Sequence, residues 1–534
     1  MSANISRRSL LKASGVAAAG AALASVAGTA FADEAESSEA DAYEWEGEYD
    51  VIVVGAGLAG LVSAITVADA GDGSTCLLLE KGTGPSGNTP YSEGRMLITN
   101  DTEAMTAYLK AMVNGETPDD VVDAFVEGMT GIEDWLLDHG ADESWLNIKG
   151  MGTAEAFADD RKPEFPELEG SYSVGVVQLQ VNDEGEGYSH VMLFAQDLVE
   201  QNSDVITYLT ETPCEDLIQD STTKEILGVV ANGKNYRATK GVIMCLGGFE
   251  KNMSMLKEYT NPNGAYNFGG EGNTGDGFPM VQRVGAKLWH MNGVTGFYNH
   301  MRSLDNTKFL GTNSLKTKQY GITVGVNGRR YYQDWDAIAS YAQEDEDGYD
   351  YLTDRSVHIG WRHGMTQFGG EWSVMNMPPT SWFIFDSANL LNAIPESYTA
   401  DPVADGYAVS ADTIEELADA MGVPSDELVA TVELWNQYCA DGKDLSFYRA
   451  ESSLVPIDEP PYYAVVCAPA FLNTYGGPAH DANNQVLDID DNPIPHLYAA
   501  GEFGSFWAHW YQGCGCIGEC VICGQIAAKA ALAN

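Results

Sequence analysis

An unbroken apolar run, Val51-Ile52-Val53-Val54, stands directly before Gly55-Ala56-Gly57-Leu58-Ala59-Gly60, and apolar positions then dominate through Ala68. A short apolar run without alternation suits a strand buried on both faces of a parallel sheet, and the stretch after it suits a helix. A second run, Cys76-Leu77-Leu78-Leu79, ends in Glu80. Strand, glycine turn, helix and second strand with a terminal acid make up a dinucleotide-binding unit. Gly55 permits the tight turn, Gly57 lets the backbone approach a pyrophosphate, and Gly60 lets the helix lie close to the strand. The helix N-terminus meets the phosphate charge, and Glu80 is placed to accept hydrogen bonds from a ribose diol. A segment near the other end, Leu497-Tyr498-Ala499-Ala500-Gly501-Glu502, belongs with this unit. Together they indicate bound FAD and redox chemistry.

Beyond Glu80 the pattern changes several times. Lys81 to Met96 is rich in Gly, Ser and Asn. Helical spacing covers Thr102–Met112 and Pro118–His139, and residues 150–190 show no regular period. Strand patterns cover Val205–Leu209, Ile226–Ala231 and Gly241–Cys245, the last running into Leu246-Gly247-Gly248-Phe249. Asn273-Thr274-Gly275-Asp276-Gly277 opens another helix. Residues 290–465 are aromatic-rich, with an acidic loop at Glu344–Asp350 and a helical pair at Thr413–Ala420 and Ser425–Tyr438. From Tyr462 strands return, and the chain ends in a helix over Gly518–Leu532. The predicted fold is therefore α/β: a Rossmann-like FAD-binding domain over 49–289 and 466–534, interrupted by an inserted α+β capping domain at 290–465.

The N-terminus changes the picture of where this fold works. Arg7-Arg8, then Leu10-Leu11-Lys12, precede an Ala/Gly-rich stretch and an Ala30-Phe31-Ala32 cleavage site. Residues 1–32 read as a twin-arginine signal peptide, which carries a folded, cofactor-loaded protein to the periplasm or the outer face of the envelope. The stretch is too short and too rich in Ala and Gly for a good anchor, so no transmembrane segment is expected in the mature chain. Residues 33–48 read as an acidic, disordered linker. The chain has 28 basic and 78 acidic residues. Removal of the signal takes away Arg7, Arg8 and Lys12 and no acid, so the mature protein is still more negative. Nucleic acid and anionic membranes are poor partners for it; a cationic electron carrier is a better one, although the acidity also serves solubility.

Of the nine cysteines, Cys76, Cys214, Cys245, Cys439 and Cys467 read as core thiols. Cys514, Cys516, Cys520 and Cys523 lie close enough in sequence to be candidate ligands of a [4Fe–4S] cluster. The expectation is nevertheless no stoichiometric iron, because a cluster there would crowd Gly515 and the flavin contact at Ile517 in the same loop.

As a set, the dinucleotide unit, Ser86-Gly87-Asn88-Thr89, Leu246-Gly247-Gly248-Phe249, Thr274-Gly275-Asp276-Gly277, Gly328-Arg329-Arg330-Tyr331 and Leu497 to Glu502 resemble one flavoprotein family. It includes soluble fumarate reductases, urocanate reductases and 3-ketosteroid Δ1-dehydrogenases, and the resemblance spans residues 49–534. It implies FAD under a mobile capping domain. Carried over by position, the FAD contacts are Ala56, Glu80, Asn88, Thr89, Gly94, Asp276, Glu502 and the backbone at Ile517, beside Gly55, Gly57 and Gly60.

The chain departs from the fumarate reductase pattern at the substrate. Asn473 stands where that pattern has a histidine, Tyr511 where it has a clamping arginine, and Ile338 where it has a proton-donating arginine. A dicarboxylate held there without cations would leave charge unpaired in a dry site, at a cost of several kcal/mol. Tyr511-Gln512-Gly513-Cys514-Gly515 is instead similar to the Tyr-x-Gly-x-Gly of ketosteroid dehydrogenases. There the tyrosine O–H and the last glycine N–H hold a carbonyl oxygen as enolate charge develops. Tyr331, Tyr332, Trp335, Trp507 and Trp510 are candidate pocket walls, each of which could equally be core packing.

The expected activity is an FAD-dependent reductase of an activated C=C bond in a neutral enone or unsaturated lactone, steroid-like in shape; cardiac glycosides would fit. Flavin N5 supplies hydride, Tyr511 and Gly515 hold the carbonyl, and Tyr332, or Tyr341, protonates the α-carbon. With no second nucleotide fold for NADH, a cytochrome-type donor is expected. The alternatives are a ketosteroid-type dehydrogenase running oxidatively, and a flavin electron-transfer protein without its own organic substrate.

Overall fold

In the computed structural model the described residues are 39–150, 163–165, 168–181, 189–260, 266, 267, 269–295, 298–305, 308, 310, 320–331, 344, 345, 348, 349, 365–368, 371–374, 378–447, 449, 451–508 and 510–534. The signal peptide lies outside them. The chain divides into a compact unit ending at Ala42 and another over Tyr43–Asn534. The described part of the first is one 3₁₀ turn, Glu39–Ala42.

The larger unit is built around β1 (Trp45–Val54), followed by α1 (Leu58–Asp69), β2 (Cys76–Leu79), β3 (Ile206–Leu209), β4 (Lys234–Met244) and β5 (Pro493–Ala499). These strands are parallel in the order β5-β4-β1-β2-β3. A short antiparallel strand, Gln485–Leu487, edges β5, and a hairpin of Cys214–Gln219 and Ile226–Ala231 pairs with the first half of β4. The apolar runs behave as a two-sided sheet requires. Val51, Val53, Cys76, Leu78 and Ile243 enter one core; Ile52, Val54, Leu77, Leu79, Val242 and Met244 enter the other.

The C-terminal helix, Gly515–Leu532, packs beside α1 on the first of these cores. It is apolar and long enough to cross a membrane by composition, but it is a core helix here. The helices Thr102–Val113, Asp119–Met129 and Ile132–Asp138 cover the same core.

A second sheet centres on Tyr462–Phe471. That strand pairs antiparallel with Tyr298–Met301, Ser381–Asp386 and Ala408–Ala411, and parallel with Tyr266–Asn267. Ile322–Gly325 continues the sheet beyond Ser381–Asp386. Helices Ile414–Met421 and Ser425–Asp441 close one face over Ile322, Val324, Trp382 and Ile384. Inside this layer Arg330 pairs with Asp444 at 2.8 Å and lies over the rings of Trp435 and Phe447 at 4.7 and 5.1 Å.

Three local expectations change. The region 118–139 is two helices, broken at Thr130–Gly131. The region 150–190 contains a strand, Gly175–Leu179, between Arg95–Ile98 and Leu146–Gly150; Val176, Val177 and Leu179 bury there. The linker ends earlier than 48, because Glu46 and Glu48 are in β1 and pair with Lys234 and Arg237 at 2.5 and 2.8 Å.

One close approach is testable. A Cβ at Gly128 would sit 2.3 Å from Ile522 Cγ2 on the C-terminal helix. Alanine would gain about 1 kcal/mol of helix propensity, but overpacking costs about 1–3 kcal/mol. Gly128→Ala should lower the thermal midpoint by several degrees, read by circular dichroism; a raised midpoint would mean Ile522 yields freely.

Candidate active site

The C-terminal ends of β1, β2 and β4 open on a cleft. The glycine turn explains its shape. Gly55 has φ +101°, and a Cβ there would lie 2.3 Å from the Cys245 carbonyl oxygen. At Gly60 it would lie 1.8 Å from the Gly55 oxygen. At Gly57 nothing stands within 4 Å, so this residue leaves room for a group approaching from the cleft.

Glu80 is buried at the end of β2. Its carboxylate accepts from Ala56 N–H at 3.0 Å, Gly82 N–H at 2.8 Å and Ser86 O–H at 3.0 Å. Gly55, Gly57, Glu80, Asn88, Thr89, Asp276 and Glu502 all line the cleft. Ala56 sits beneath it through its bond to Glu80, and Gly60 supports the turn. Gly94, at φ +66°, packs against Ser189, and Ile517 lies in the first turn of the C-terminal helix; neither is among the lining residues. Asp276 is held by Lys81 at 2.6 Å. Thr212, Pro213, Cys214 and Asn273 also line the cleft, and sequence reasoning missed them. Cys214 had read as a core thiol. Asn273 was visible only as the start of a helix-opening motif, yet its Nδ2 is buried without a partner in the cleft wall. An elongated cleft with a bare glycine turn, a buried acid and an unpaired amide donor fits a dinucleotide.

At the inner end, Glu502 and Glu250 come together around Asn88. Asn88 Nδ2 reaches Glu250 Oε1 at 3.3 Å and Glu502 Oε2 at 3.3 Å, while Thr474 N–H donates to Glu250 Oε1 at 2.7 Å. Burial, and then the neighbouring Glu250, push the Glu502 carboxyl well above its usual range. A pair this close retains a proton. Glu250 was not foreseen: the Leu-Gly-Gly-Phe motif ends one residue before it.

The loop 511–515 follows. Tyr511 is buried; its oxygen accepts from Cys516 N–H at 3.3 Å, and Trp507 meets its ring edge-on at 5.2 Å. Gln512 anchors the loop, taking Tyr108 O–H at 2.6 Å and Glu164 N–H at 2.9 Å. Gly515 must be glycine because a Cβ would fall 2.3 Å from the Trp507 ring. Its N–H, however, donates to Gln512 O at 3.1 Å, so in this conformation it is committed within the loop rather than offered to a ligand. Asn473 Nδ2 donates to Cys516 Sγ at 3.4 Å, and Tyr475 lies 5.7 Å from Tyr511, ring to ring. This cluster of Asn473, Tyr475, Trp507, Tyr511 and Cys516 carries no cation. Tyr332, Ile338 and Tyr341 lie outside the described residues.

The four C-terminal cysteines are not drawn together. Cys516 faces Asn473 and Tyr511, Cys520 lines the cleft, and Cys523 is buried in the helix–sheet core. Among the described residues no three His, Cys, Asp or Glu side chains form a metal site. Helical spacing places Cys516, Cys520 and Cys523 along one face, turned to the interior.

The fold and the cleft define a flavin-dependent oxidoreductase. The chain belongs to the FAD binding domain family, whose pattern matches residues 50–517, and residues 4–24 match the twin-arginine signal sequence, which directs export to the periplasm or envelope. It is similar to urocanate reductase of Eggerthella lenta (27% identity; 85% of this chain, 70% of that one). It is also similar to digoxin reductase of the same organism (25%; 88% and 84%) and to 3-oxosteroid 1-dehydrogenase of Mycolicibacterium smegmatis (25%; 90% and 96%). By fold it resembles the 3-ketosteroid Δ1-dehydrogenase of Sterolibacterium denitrificans, at 21% identity and TM-score 0.71, covering 91% of this chain and 100% of that one.

Two outcomes follow. Gly57→Ala meets no obstacle in the protein, so the apoprotein should melt normally, while FAD affinity should fall roughly tenfold or more, about 1.4 kcal/mol. Equilibrium dialysis of FAD checks this. Glu519, buried under Ser505 and Phe506 N–H, is pushed up to about 8 by burial. A carboxyl raised in the folded state keeps a proton that the unfolded chain has lost, so stability should fall as pH rises from its ordinary value of 4.5 through about 8. Glu519→Gln should flatten that fall in denaturant titrations; an unchanged slope would show that Glu519 is not its source.

Proposed function

We propose that this flavoenzyme reduces an activated C=C bond in a neutral enone or unsaturated lactone of steroid-like shape. The single observation that carries the reading is the uncharged cluster around Tyr511 and Asn473. Its only strong handles for a substrate are neutral donors, which suit a carbonyl and leave a dicarboxylate unpaired. Similarity to digoxin reductase and 3-oxosteroid 1-dehydrogenase supports a polycyclic substrate. FAD, when bound by Glu80, Asn88, Thr89, Asp276 and Glu502, supplies the hydride for the β-carbon.

The chain's own part is to hold the carbonyl and deliver a proton. Tyr511 accepts from Cys516 N–H and lies against the Cys516 side chain; its O–H is the group that would turn to a substrate oxygen. Burial, and then Cys516 and Cys514, keep this phenol protonated well above its usual pKa. Gly515 can add its N–H only by leaving or sharing Gln512 O. Tyr332 is assigned the proton for the α-carbon. Residues 290–465 act as the cap, and a cationic cytochrome-type carrier supplies electrons to this acidic protein. Similarity to 3-oxosteroid dehydrogenases favours a second reading, the same chemistry run oxidatively.

The test is an anaerobic screen in which dithionite-reduced enzyme is mixed with cyclic enones, unsaturated lactones and fumarate, and flavin reoxidation is followed. Enones or lactones should reoxidise it; fumarate should not exceed background. Tyr511→Phe should slow the best substrate about a hundredfold or more, with FAD retained. Fumarate turnover on the order of 10 per second would reject the reading.

A further inference from the structure

Two buried hydroxyls, Tyr475 Oη and Thr295 Oγ1, lie near each other, with Tyr475 beside Tyr511, and neither has a hydrogen bond of normal geometry to any other group. Both side chains are almost fully buried, Tyr475 at 0% and Thr295 at 1% exposure. A buried hydroxyl left unsatisfied costs about 1–3 kcal/mol, and native folds rarely leave two together without a use.

Their placement is fixed by the fold. Asn473–Thr474 pairs antiparallel with Val294–Thr295, so Thr295 stands opposite Asn473. Tyr475 N–H then donates to Gly293 O at 3.1 Å, and any Cβ at Gly293 would press on the Tyr475 ring at 2.8 Å. The ring is thus pinned, and its centroid lies 5.7 Å from that of Tyr511 at an angle of 33°. Burial first, then the neighbouring Cys516 and Tyr511, hold the Tyr475 phenol protonated, so it too is a donor.

A carbonyl oxygen acquiring charge accepts two strong hydrogen bonds, and removal of one such donor is costly. Tyr511 supplies one. The backbone donor expected at Gly515 is occupied by Gln512 O.

We propose that Tyr475 is the second donor to the substrate's carbonyl oxygen, completing with Tyr511 a two-phenol pocket that Thr295 orients. This rests on the reading of Tyr511 as a carbonyl-binding residue. It makes Tyr475 a catalytic residue and Thr295 a positioning residue, and it sets specificity for an uncharged ligand oxygen.

The probe is 2-naphthol, whose ionised oxygen copies an enolate, titrated into oxidised, FAD-loaded enzyme. Affinity is read from flavin absorbance, and ionisation of the bound naphthol from the long-wavelength charge-transfer band against pH. Tyr475→Phe should weaken binding about tenfold, the worth of one hydrogen bond, and should move the ionisation of the bound probe to higher pH. Thr295→Val should move both in the same direction by less, and each variant should keep its FAD and its melting temperature. If Tyr511→Phe weakens binding but Tyr475→Phe and Thr295→Val change nothing, Tyr475 only packs and this inference falls alone. If the wild-type enzyme binds no naphthol, or neither tyrosine matters to it, the carbonyl-site reading falls and takes this one with it.

Discussion

Ser63 on α1 donates its hydroxyl to Ala59 O at 2.8 Å and also approaches Gly524 O of the C-terminal helix at 3.2 Å. A Cβ on Gly524 would lie 2.8 Å from Ala59 O, and one on Gly501 would lie 2.7 Å from the Ala59 side chain. Gly60 meets the Gly55 carbonyl still more closely. The glycine turn, α1, the end of β5 and the C-terminal helix therefore touch backbone to backbone. This contact joins residues more than 450 positions apart and sets the height of Glu502 and of the loop 511–515 over the cleft. A side chain inserted at any of these glycines would push the helix outward, and a catalytic constellation tolerates displacements of only about 0.5 Å.

Charge is distributed unevenly around this frame. Three carboxyl groups, Glu80, Glu250 and Glu519, are buried near the cleft or under it, and a fourth, Glu502, is partly buried in its wall. Glu80 has three donors that compensate its burial. Glu502 and Glu250 have Asn88 and each other, which only retention of a proton makes tolerable. Glu519 accepts from Ser505 and Phe506 and stays protonated to about 8. On the substrate side the described cluster is neutral. The same burial that raises the Glu502 and Glu519 carboxyls also raises the Tyr475 and Tyr511 phenols.

Much of the flavin half was legible in the sequence because its signals are local. Strand, turn, helix and Glu80 follow one another, and each glycine does there what its spacing implies. The substrate half depends on pairings the sequence does not announce. Tyr475 gains its place only because Thr295, far away in sequence, pairs opposite Asn473. Glu250 lies one position beyond a motif whose glycines drew attention first. Gly515 matched its motif by position, but its N–H turns back to Gln512, which only loop geometry reveals. The four cysteines show the converse: they are close in sequence, but helical rotation turns three of them along one face toward the interior. The strand Gly175–Leu179 escaped because its partners lie about thirty and eighty residues upstream.

Tyr511 is held from behind, by the anchors of its own loop. Gln512 is clamped by Tyr108 from the helix Thr102–Val113 and by the Glu164 N–H, and Glu164 Oε1 takes Gly513 N–H at 2.8 Å. Phe165 stacks on Trp510 at 5.0 Å, and Trp507 fills the space that only glycine leaves at 515. All these supports belong to the helical layer over the flavin-side core, and none comes from the second sheet or its helices. The loop that carries Tyr511 is therefore anchored from the flavin-side core. Val294–Thr295, through its pairing with Asn473–Thr474, and Gly293, which accepts from Tyr475 N–H, join the segment after residue 290 to the cluster around Tyr511.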